Sequence, residues 1–350
     1  MRSFKNIGRI KPFIKDPNKK PFLQIIKEIL ILTITKKEIP FYYFKYIYRK
    51  KVKNYQDYLS TKELVAIGSK KELHKPEYNT IIEDKLYFCL LLKQTKINTP
   101  KLVCYNFKSS FFYNNEVKQI ASPLELIRFF ENVFIESNIE NLFFRPLSEY
   151  GGKGCFKLTK QNFKNQISEK YETIINGHFV HTEVIKQHES INKIHRNSVC
   201  TLRLISFVTP SKTVELIGAF IRFGVGHSVV DNASSGGFIV GINMDNGTLK
   251  NTGHYLPEFG AAEIEKHPDS GFVFDGFKIP FFKEACNEVV KAVKIIPDRF
   301  IGWDIAISED GPTIIEANSG PHLPLSDIAS GGILKNPHIK GLVEALKSMK

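Results

Sequence analysis

Two acids and an amide near the C-terminus have the residue types and the spacing of a metal site. Asp304, Glu316 and Asn318 lie in the run 301–320, whose pattern predicts two short strands joined by a Ser-Glu-Asp-Gly-Pro turn. The arms of such a hairpin lie about 5 Å apart, so Asp304 would meet the other two, which share a face. These hard oxygen ligands suit Mg²⁺ carrying nucleotide phosphates. The alternative is a surface hairpin whose acids only face water.

A glycine-rich run could bind phosphate. Gly151, Gly152, Lys153 and Gly154 stand between two predicted strands, where free backbone N–H groups can form an anion-binding nest and the lysine adds charge. Arg145, at the end of the preceding apolar strand, would add a second cation. The run is not a Walker A loop, and a plain turn is the alternative.

Further polar residues lie within or just after predicted strands. Arg203 and Arg222 alternate with apolar neighbours, and a guanidinium aimed into a cleft suits phosphate or carboxylate. The strand 178–185 runs into a loop whose backbone could read adenine. We name as its candidates Glu183, Ile185 and His188, although for His188 taken singly a loop histidine without a ligand is the favoured interpretation.

Two polar segments are candidates for substrate contact. The loop 231–237, with Asn232 and Ser235, could close over a substrate or could be a simple connection. His322 follows the acidic hairpin directly and would lie near whatever the metal presents.

The N-terminal segment holds the whole charge excess. The formal net charge is +13, and residues 1–75 contain 19 Lys and Arg against 6 Asp and Glu. Basic and aromatic residues alternate in the run 41–51, which suits an anionic membrane surface. A helical extension that packs its aromatics on the body and leaves its lysines in solvent is equally favoured. Binding of single-stranded nucleic acid is the least favoured.

Length and cysteine usage limit the class of protein. A chain of 350 residues can bury a large core in two or three subdomains. Its five cysteines are scattered without metal spacing, which predicts a reducing compartment and no zinc site. We expect no signal peptide, because the first residues lead to no apolar segment. The apolar stretch at 29–34 is far short of the ~20 residues of a spanning helix. We expect a cytoplasmic chain, with the inner face of a membrane as a further possible location.

The predicted elements are of mixed α+β order rather than the alternating order of a Rossmann sheet. The helices are predicted at 21–35, 40–59, 83–93, after 123, at 280–294 and at 337–348, and the strands at 102–105, around the glycine run at 141–158, and at 178–185, 201–208, 214–222 and 238–243.

Taken in order, these features resemble the ATP-grasp superfamily over about residues 80–330. The resemblance rests on Asp84 and Lys85 opening a helix, a basic residue before Pro146, the glycine run, and the residues listed above on the strands and the hairpin. The runs 197–203, 231–237 and 302–304 are most similar to the sugar-transfer-associated ATP-grasp family, found among polysaccharide biosynthesis proteins.

The resemblance implies an α+β fold in which two α+β subdomains clamp ATP between antiparallel sheets. The usual N-terminal α/β domain is not evident in the sequence, and a basic helical extension stands in its place. The divisions are an N-terminal segment at 1–78, a helix-rich part at 79–140, a lid subdomain with the glycine run at 141–187, and a catalytic subdomain at 188–350.

The resemblance also implies roles for the candidate residues. Lys85 and Arg145 would contact the phosphates under the glycine run, although the position of Arg145 is usually lysine in ATP-grasp enzymes. Arg203 and Arg222 would act in catalysis. The adenine pocket would be lined by Glu183, Val184, Ile185 and His188, while Asp304, Glu316 and Asn318 would hold Mg²⁺, with two ions expected.

The implied reaction joins a carboxylate to an amine. The carboxylate attacks the γ-phosphate of ATP, and the amine captures the resulting acylphosphate. The implied substrate is a sugar acid or an amino-sugar of a surface polysaccharide. The alternatives are an ATP-grasp amino acid or peptide ligase, and a non-catalytic basic protein that binds membranes or nucleic acid.

Overall fold

The computed structural model describes residues 12–69, 73–149 and 151–348, which form two antiparallel sheets with helices packed around them. In chain order from residue 22, the α-helices are α1 (Phe22–Lys36), α2 (Tyr43–Tyr46), α3 (Thr61–Ser69), α4 (Pro76–Glu83), α5 (Lys85–Lys93), α6 (Pro123–Ser137), α7 (Phe163–Asn176), α8 (Glu189–Asn192), α9 (Phe282–Ile295), α10 (Leu323–Ser330) and α11 (Pro337–Ser348).

The first sheet has six strands in the order β3-β2-β1-β6-β4-β5. They are β1 (Leu102–Phe107), β2 (Ser110–Tyr113), β3 (Glu116–Gln119), β4 (Asn141–Pro146), β5 (Phe156–Thr159) and β6 (His178–Glu183).

Helix α6 shows how the sequence builds this layer. Ser122 caps its start by accepting a hydrogen bond from the N–H of Glu125, and Pro123 occupies the first turn. Leu126, Phe130 and Val133 recur at helical spacing and are buried. The helix therefore packs its aromatic face into the core of the first sheet.

The second sheet has seven strands in the order β11-β10-β9-β8-β7-β12-β13. Its central strands are buried along almost their whole length. A charged residue on one of them therefore lies in the interior of the protein. The strands are β7 (Thr201–Val208), β8 (Val214–Phe223), β9 (Phe238–Ile242), β10 (Leu249–Tyr255), β11 (Glu263–Ile264), β12 (Phe300–Ser308) and β13 (Gly311–Asn318).

Two sequence-based predictions need correction. The helix predicted at 40–59 is only the four-residue α2 and a 3₁₀ turn at Tyr55–Asp57. Tyr43, Tyr46 and Tyr48 are all buried, and their spacing of three and two residues does not fit one helical face. The boundary predicted between residues 140 and 141 falls inside the first sheet, because β1 pairs with β6. The other divisions stay predictions.

The expected mixed fold with two antiparallel sheets is confirmed. None of the helices in the described ranges combines the length and the apolar character needed to cross a bilayer. Residues 1–11 and 70–72 of the basic segment lie outside the described residues.

Candidate functional site

The hairpin of β12 and β13 brings the three predicted metal ligands together. Asp304 pairs directly with Glu316, and Gly302 pairs with Asn318. Asn318 Nδ2 donates a weak hydrogen bond to Asp304 Oδ2 at 3.5 Å. Asp304 is only 1% exposed, so the alternative of a hairpin whose acids face water does not hold.

Asp304 is held by two buried arginines. Arg203, its partner across the sheet on β7, donates from Nε to Oδ1 at 2.5 Å and from Nη2 to Oδ2 at 3.0 Å. Arg222 on β8 reaches Oδ2 with Nη2 at 2.9 Å. Burial would raise the pKa of Asp304, but the charges of the two arginines keep it below its usual range. Asp304 therefore stays ionised.

Glu316 has the opposite tendency. Burial raises the pKa of Glu316, and the neighbouring charge of Asp304 raises it further. Two carboxylates this close favour sharing a proton. A divalent cation would take the place of that proton, and the amide of Asn318 adds a neutral oxygen, so this set of donors fits Mg²⁺.

Arg222 is also tied to the loop that follows β8. Its Nε donates to Thr201 Oγ1 at 2.8 Å and lies 3.4 Å from Asp231 Oδ2. Asp231 accepts in turn from the backbone N–H of Thr201 at 2.7 Å. Sequence reasoning did not single out Thr201 or Asp231 as site residues. The available signal was a carboxylate at the start of the polar loop 231–237.

One cation from the first sheet and one from helix α5 lie near this cluster. Arg145 on β4 is buried, and its Nη1 donates to the carbonyl of Ile315, next to Glu316, at 3.1 Å. Lys85 begins α5 and donates from Nζ to the carbonyl of Glu149 at 2.8 Å. Burial lowers the pKa of Lys85, which the charge of Glu316 partly offsets. The structure therefore places both predicted phosphate-binding cations beside the acidic hairpin.

The glycine run packs against the loop after β8. Gly151, Gly152 and Gly154 have φ values of 72°, 74° and 74°, which favour glycine. A Cβ at Gly152 would lie 2.5 Å from Val230 Cγ1, and one at Gly151 would lie 3.3 Å from Asn232 Nδ2. The glycine run and the loop that contains Asn232 were both predicted to contact ligands, and they are adjacent in the structure. The backbone of the run lies so close to this loop that Gly152 has no room for a side chain.

Lys153 and Ser235 lie in these two segments, and no hydrogen bond or ion pair among the described residues joins either of them to the hairpin. The Lys153 side chain is well exposed, with its Nζ 3.8 Å from Glu149. Ser235 belongs to a 3₁₀ turn at Ala233–Ser235, after Asn232. Their roles stay predictions.

The residues predicted to contact adenine lie at the end of β6 in the first sheet and just after it. Glu183 closes β6, and its Oε1 accepts from the N–H of Lys101 at 3.0 Å. Val184 and Ile185 follow in the connection to the second sheet. His188 caps α8 by accepting at Nδ1 from the N–H of Ser190 at 3.1 Å. This capping bond is a structural use for His188, and its ligand role stays a prediction.

His322 lies where the sequence predicted, directly before α10 and just after the acidic hairpin. Its contact with a substrate stays a prediction. A separate group of His195, His267 and Asp269 also has side chains of metal-binding type within the described residues. Both ring nitrogens of His267 are bonded to backbone, at Gly224 and at Asp269, so His267 is held by structural bonds.

The sequence matches one protein-family model, described as "Sugar-transfer associated ATP-grasp", over residues 69–341. The chain belongs to this family. The resemblance inferred from the hairpin, the glycine run and the strand arginines is thereby confirmed. No curated protein matches the sequence.

Solved structures with a similar course of the chain include the ATP-grasp ligase PsnB in complex with a phosphomimetic variant of its minimal precursor, Mg and ADP. PsnB is 13% identical with a TM-score of 0.44, and the match covers 79% of this chain and 62% of PsnB. D-alanine–D-alanine ligase from Bacillus anthracis is 14% identical with a TM-score of 0.42, and the match covers 77% of this chain and 70% of that enzyme.

Proposed function

We propose that this ATP-grasp family member is an ATP-dependent carboxylate–amine ligase. The observation that carries the proposal is the pair of buried Asp304 and half-buried Glu316 on the second sheet. Arg145 of the first sheet and Lys85 at the start of α5 lie beside this pair. A polyanion with its metal matches this pattern of charge, because the acids suit the cation and the basic side chains suit the phosphates.

The residues divide into three proposed binding roles. Asp304, Glu316 and Asn318 would hold Mg²⁺, with two ions proposed, and the metal would neutralise charge on the transferred phosphoryl group. Lys85, Arg145 and the glycine run 151–154 would bind the phosphates. The backbone from Glu183 to Ile185 would read the adenine, with His188 nearby.

The proposed chemistry has two steps. A carboxylate oxygen of the substrate attacks the γ-phosphorus, the bond to the leaving ADP breaks, and an acylphosphate forms. An amine nitrogen then attacks the acyl carbon, inorganic phosphate leaves, and the nitrogen loses a proton to give the amide. Arg203 and Arg222 would hold the carboxylate and then the acylphosphate, because a guanidinium fork matches both groups.

The proposed substrate is a sugar acid or an amino-sugar of a surface polysaccharide such as a capsule or O-antigen, joined in the cytoplasm where ATP is supplied. The family's description as sugar-transfer associated supports this choice. Asn232, Ser235 and His322 would contact the substrate, since two of them lie in the loop beside the glycine run and the third follows the hairpin.

Thermal unfolding with and without MgATP tests the nucleotide site, with ADP and GTP as comparisons. A ligand present at 100 times its Kd adds about 2.7 kcal/mol to the free energy of unfolding. We expect a magnesium-dependent shift that Glu316→Gln removes. Asp310→Asn is the matched control, because Asp310 is an exposed acid in the turn of the same hairpin.

A missing shift at saturating MgATP, or an equal shift in Glu316→Gln, would contradict the metal assignment. The ligase step is tested by ADP release that requires both a carboxylate and an amine. Hydroxylamine in place of the amine should yield a hydroxamate from the acylphosphate. Hydroxamate formation with amino acids or peptides but with no sugar acid would favour a peptide ligase instead.

A further inference from the structure

Helix α1 exposes an apolar face to solvent. Its outward residues are Phe22 at 73% exposure, Leu23 at 80%, Ile26 at 39%, Leu30 at 58% and Ile34 at 75%. At about 100° per residue these five side chains fall within an arc of roughly 120°. We call them the α1 stripe. Scattered exposed apolar residues are normal in proteins, but five on one arc of one helix indicate a covered surface.

The opposite face of α1 is fixed to the protein. Ile25 and Leu32 are buried, and between them Glu28 is buried as well. Glu28 accepts from Lys20 Nζ at 2.6 Å and from the Tyr43 hydroxyl at 2.7 Å. Rotating the helix to bury the stripe would break this buried ion pair, which is strongly unfavourable. The α1 stripe is therefore presented in a fixed orientation.

The exposed charge of residues 12–69 is of one sign. In residues 12–69 no acid is exposed, and each of the five acids accepts a hydrogen bond within the protein. Lys27 borders the α1 stripe, and Lys37 caps the end of the helix. The exposed cations of these residues are Lys15, Lys27, Lys37, Lys50, Lys51, Lys53 and Lys62.

We propose that the α1 stripe binds the surface of an anionic membrane. An apolar helical face bordered by lysines has the pattern of a helix that lies in the plane of the headgroups. The exposed positive charge complements anionic lipid. This surface is separate from the nucleotide site, so the inference does not depend on the ligase activity.

The tyrosines of the basic aromatic run 41–51 are not the apolar surface that binds. Tyr42, Tyr43, Tyr46 and Tyr48 are buried, and the Tyr46 hydroxyl donates to the carbonyl of Tyr255 on the second sheet at 2.6 Å. These aromatics pack on the body, as one of the two sequence-based alternatives expected. The membrane contact is assigned instead to α1, the helix that precedes this run in the chain.

Flotation of the full-length protein with lipid vesicles tests the proposal. The vesicles are phosphatidylcholine alone and phosphatidylcholine with phosphatidylglycerol, at low and high salt. We expect binding to the anionic vesicles that weakens with salt. The double variant Leu23→Gln/Leu30→Gln should lower the partition coefficient by at least about tenfold, because two exposed apolar side chains no longer enter the lipid.

The matched control is Leu124→Gln/Ile135→Gln, which changes two exposed apolar residues on helix α6. It should bind vesicles like the wild type. Each variant is first shown by circular dichroism and thermal unfolding to be folded. The proposal is overturned if the wild type does not float with anionic vesicles, or if the α1 variant floats equally well. Self-association that depends on the stripe, without vesicle binding, would identify a second copy of the chain as the occupant instead.

Discussion

Two arginines share one carboxylate at the centre of the site. Asp304 accepts from both Arg203 and Arg222, and all three side chains are buried. Glu316 lies beside them, but no hydrogen bond or ion pair within the described residues joins it to an arginine. The two acids of the hairpin therefore have different structural importance, although the sequence presents them alike.

We expect Asp304→Asn to lower the free energy of unfolding by about 3–5 kcal/mol, because it leaves the buried Arg203 without its counterion and Arg222 with only Asp231 at 3.4 Å. Glu316→Gln should change it by less than about 1 kcal/mol, since its carboxyl already tends to hold a proton and Gln has the same shape. Urea denaturation without Mg²⁺ or nucleotide measures both. Equal losses in the two variants would contradict the assigned ion pairs.

At the scale of elements, the glycine run depends on its contact with the loop after β8. Gly152→Ala should weaken the stabilisation by MgATP, because the new Cβ meets Val230 and moves the run. Gly226→Ala is the matched control, since Gly226 also has a positive φ of 65° but has open space around it. Both changes carry the backbone strain of about 1 kcal/mol. Equal thermal shifts with MgATP in the two variants would show that the contact does not matter.

Strand β6 contains a buried neutral histidine. His181 bonds Asn106 Oδ1 through Nε2 at 2.9 Å and stacks on Phe144 with ring centroids 4.0 Å apart. Burial lowers the pKa of His181 from 6.5 to about 3. Below pH 6.5 His181 binds a proton in the unfolded chain but stays neutral in the native protein. The free energy of unfolding therefore decreases as the pH falls below 6.5.

We therefore expect the free energy of unfolding of the wild type to fall about 1.4 kcal/mol per pH unit more steeply than that of His181→Gln, between about pH 6 and pH 4. Urea denaturation over this range measures the difference. His227→Gln, at an exposed position, is the control. Parallel curves for the wild type and His181→Gln would contradict a neutral buried histidine.

At the scale of the whole molecule, Asp327 on α10 joins distant segments. Its Oδ2 accepts from the N–H of Leu59 at 2.9 Å, and its Oδ1 accepts from the N–H of Ile333 at 2.8 Å. Asp327→Ala leaves two buried donors without partners, at a cost of about 1–3 kcal/mol each. We expect a loss of about 2–5 kcal/mol by urea denaturation, and a smaller loss for Asp327→Asn, which keeps one acceptor. A change below about 1 kcal/mol in the alanine variant would contradict this connection.

The sequence predicts contacts that depend on local pairing better than contacts that depend on the whole chain. The convergence of Asp304 with Glu316 follows from a short turn and a two-residue period, and the structure has it. The bond from Thr201 to Asp231 joins a strand to a loop 30 residues away, which no local pattern predicts. The helix predicted at 40–59 failed for a related reason, because its tyrosines are buried by tertiary contacts rather than on one helical face.

The arginine pair on Asp304 has a consequence for the order in which ligands enter. With Asp304 balanced by two guanidinium groups and Glu316 inclined to keep a proton, the resting cluster offers little net attraction to a free divalent ion. Arg145 and Lys85 add positive charge at its edge. The metal is therefore expected to arrive as the nucleotide chelate, whose phosphates supply the negative charge that draws the arginines from Asp304.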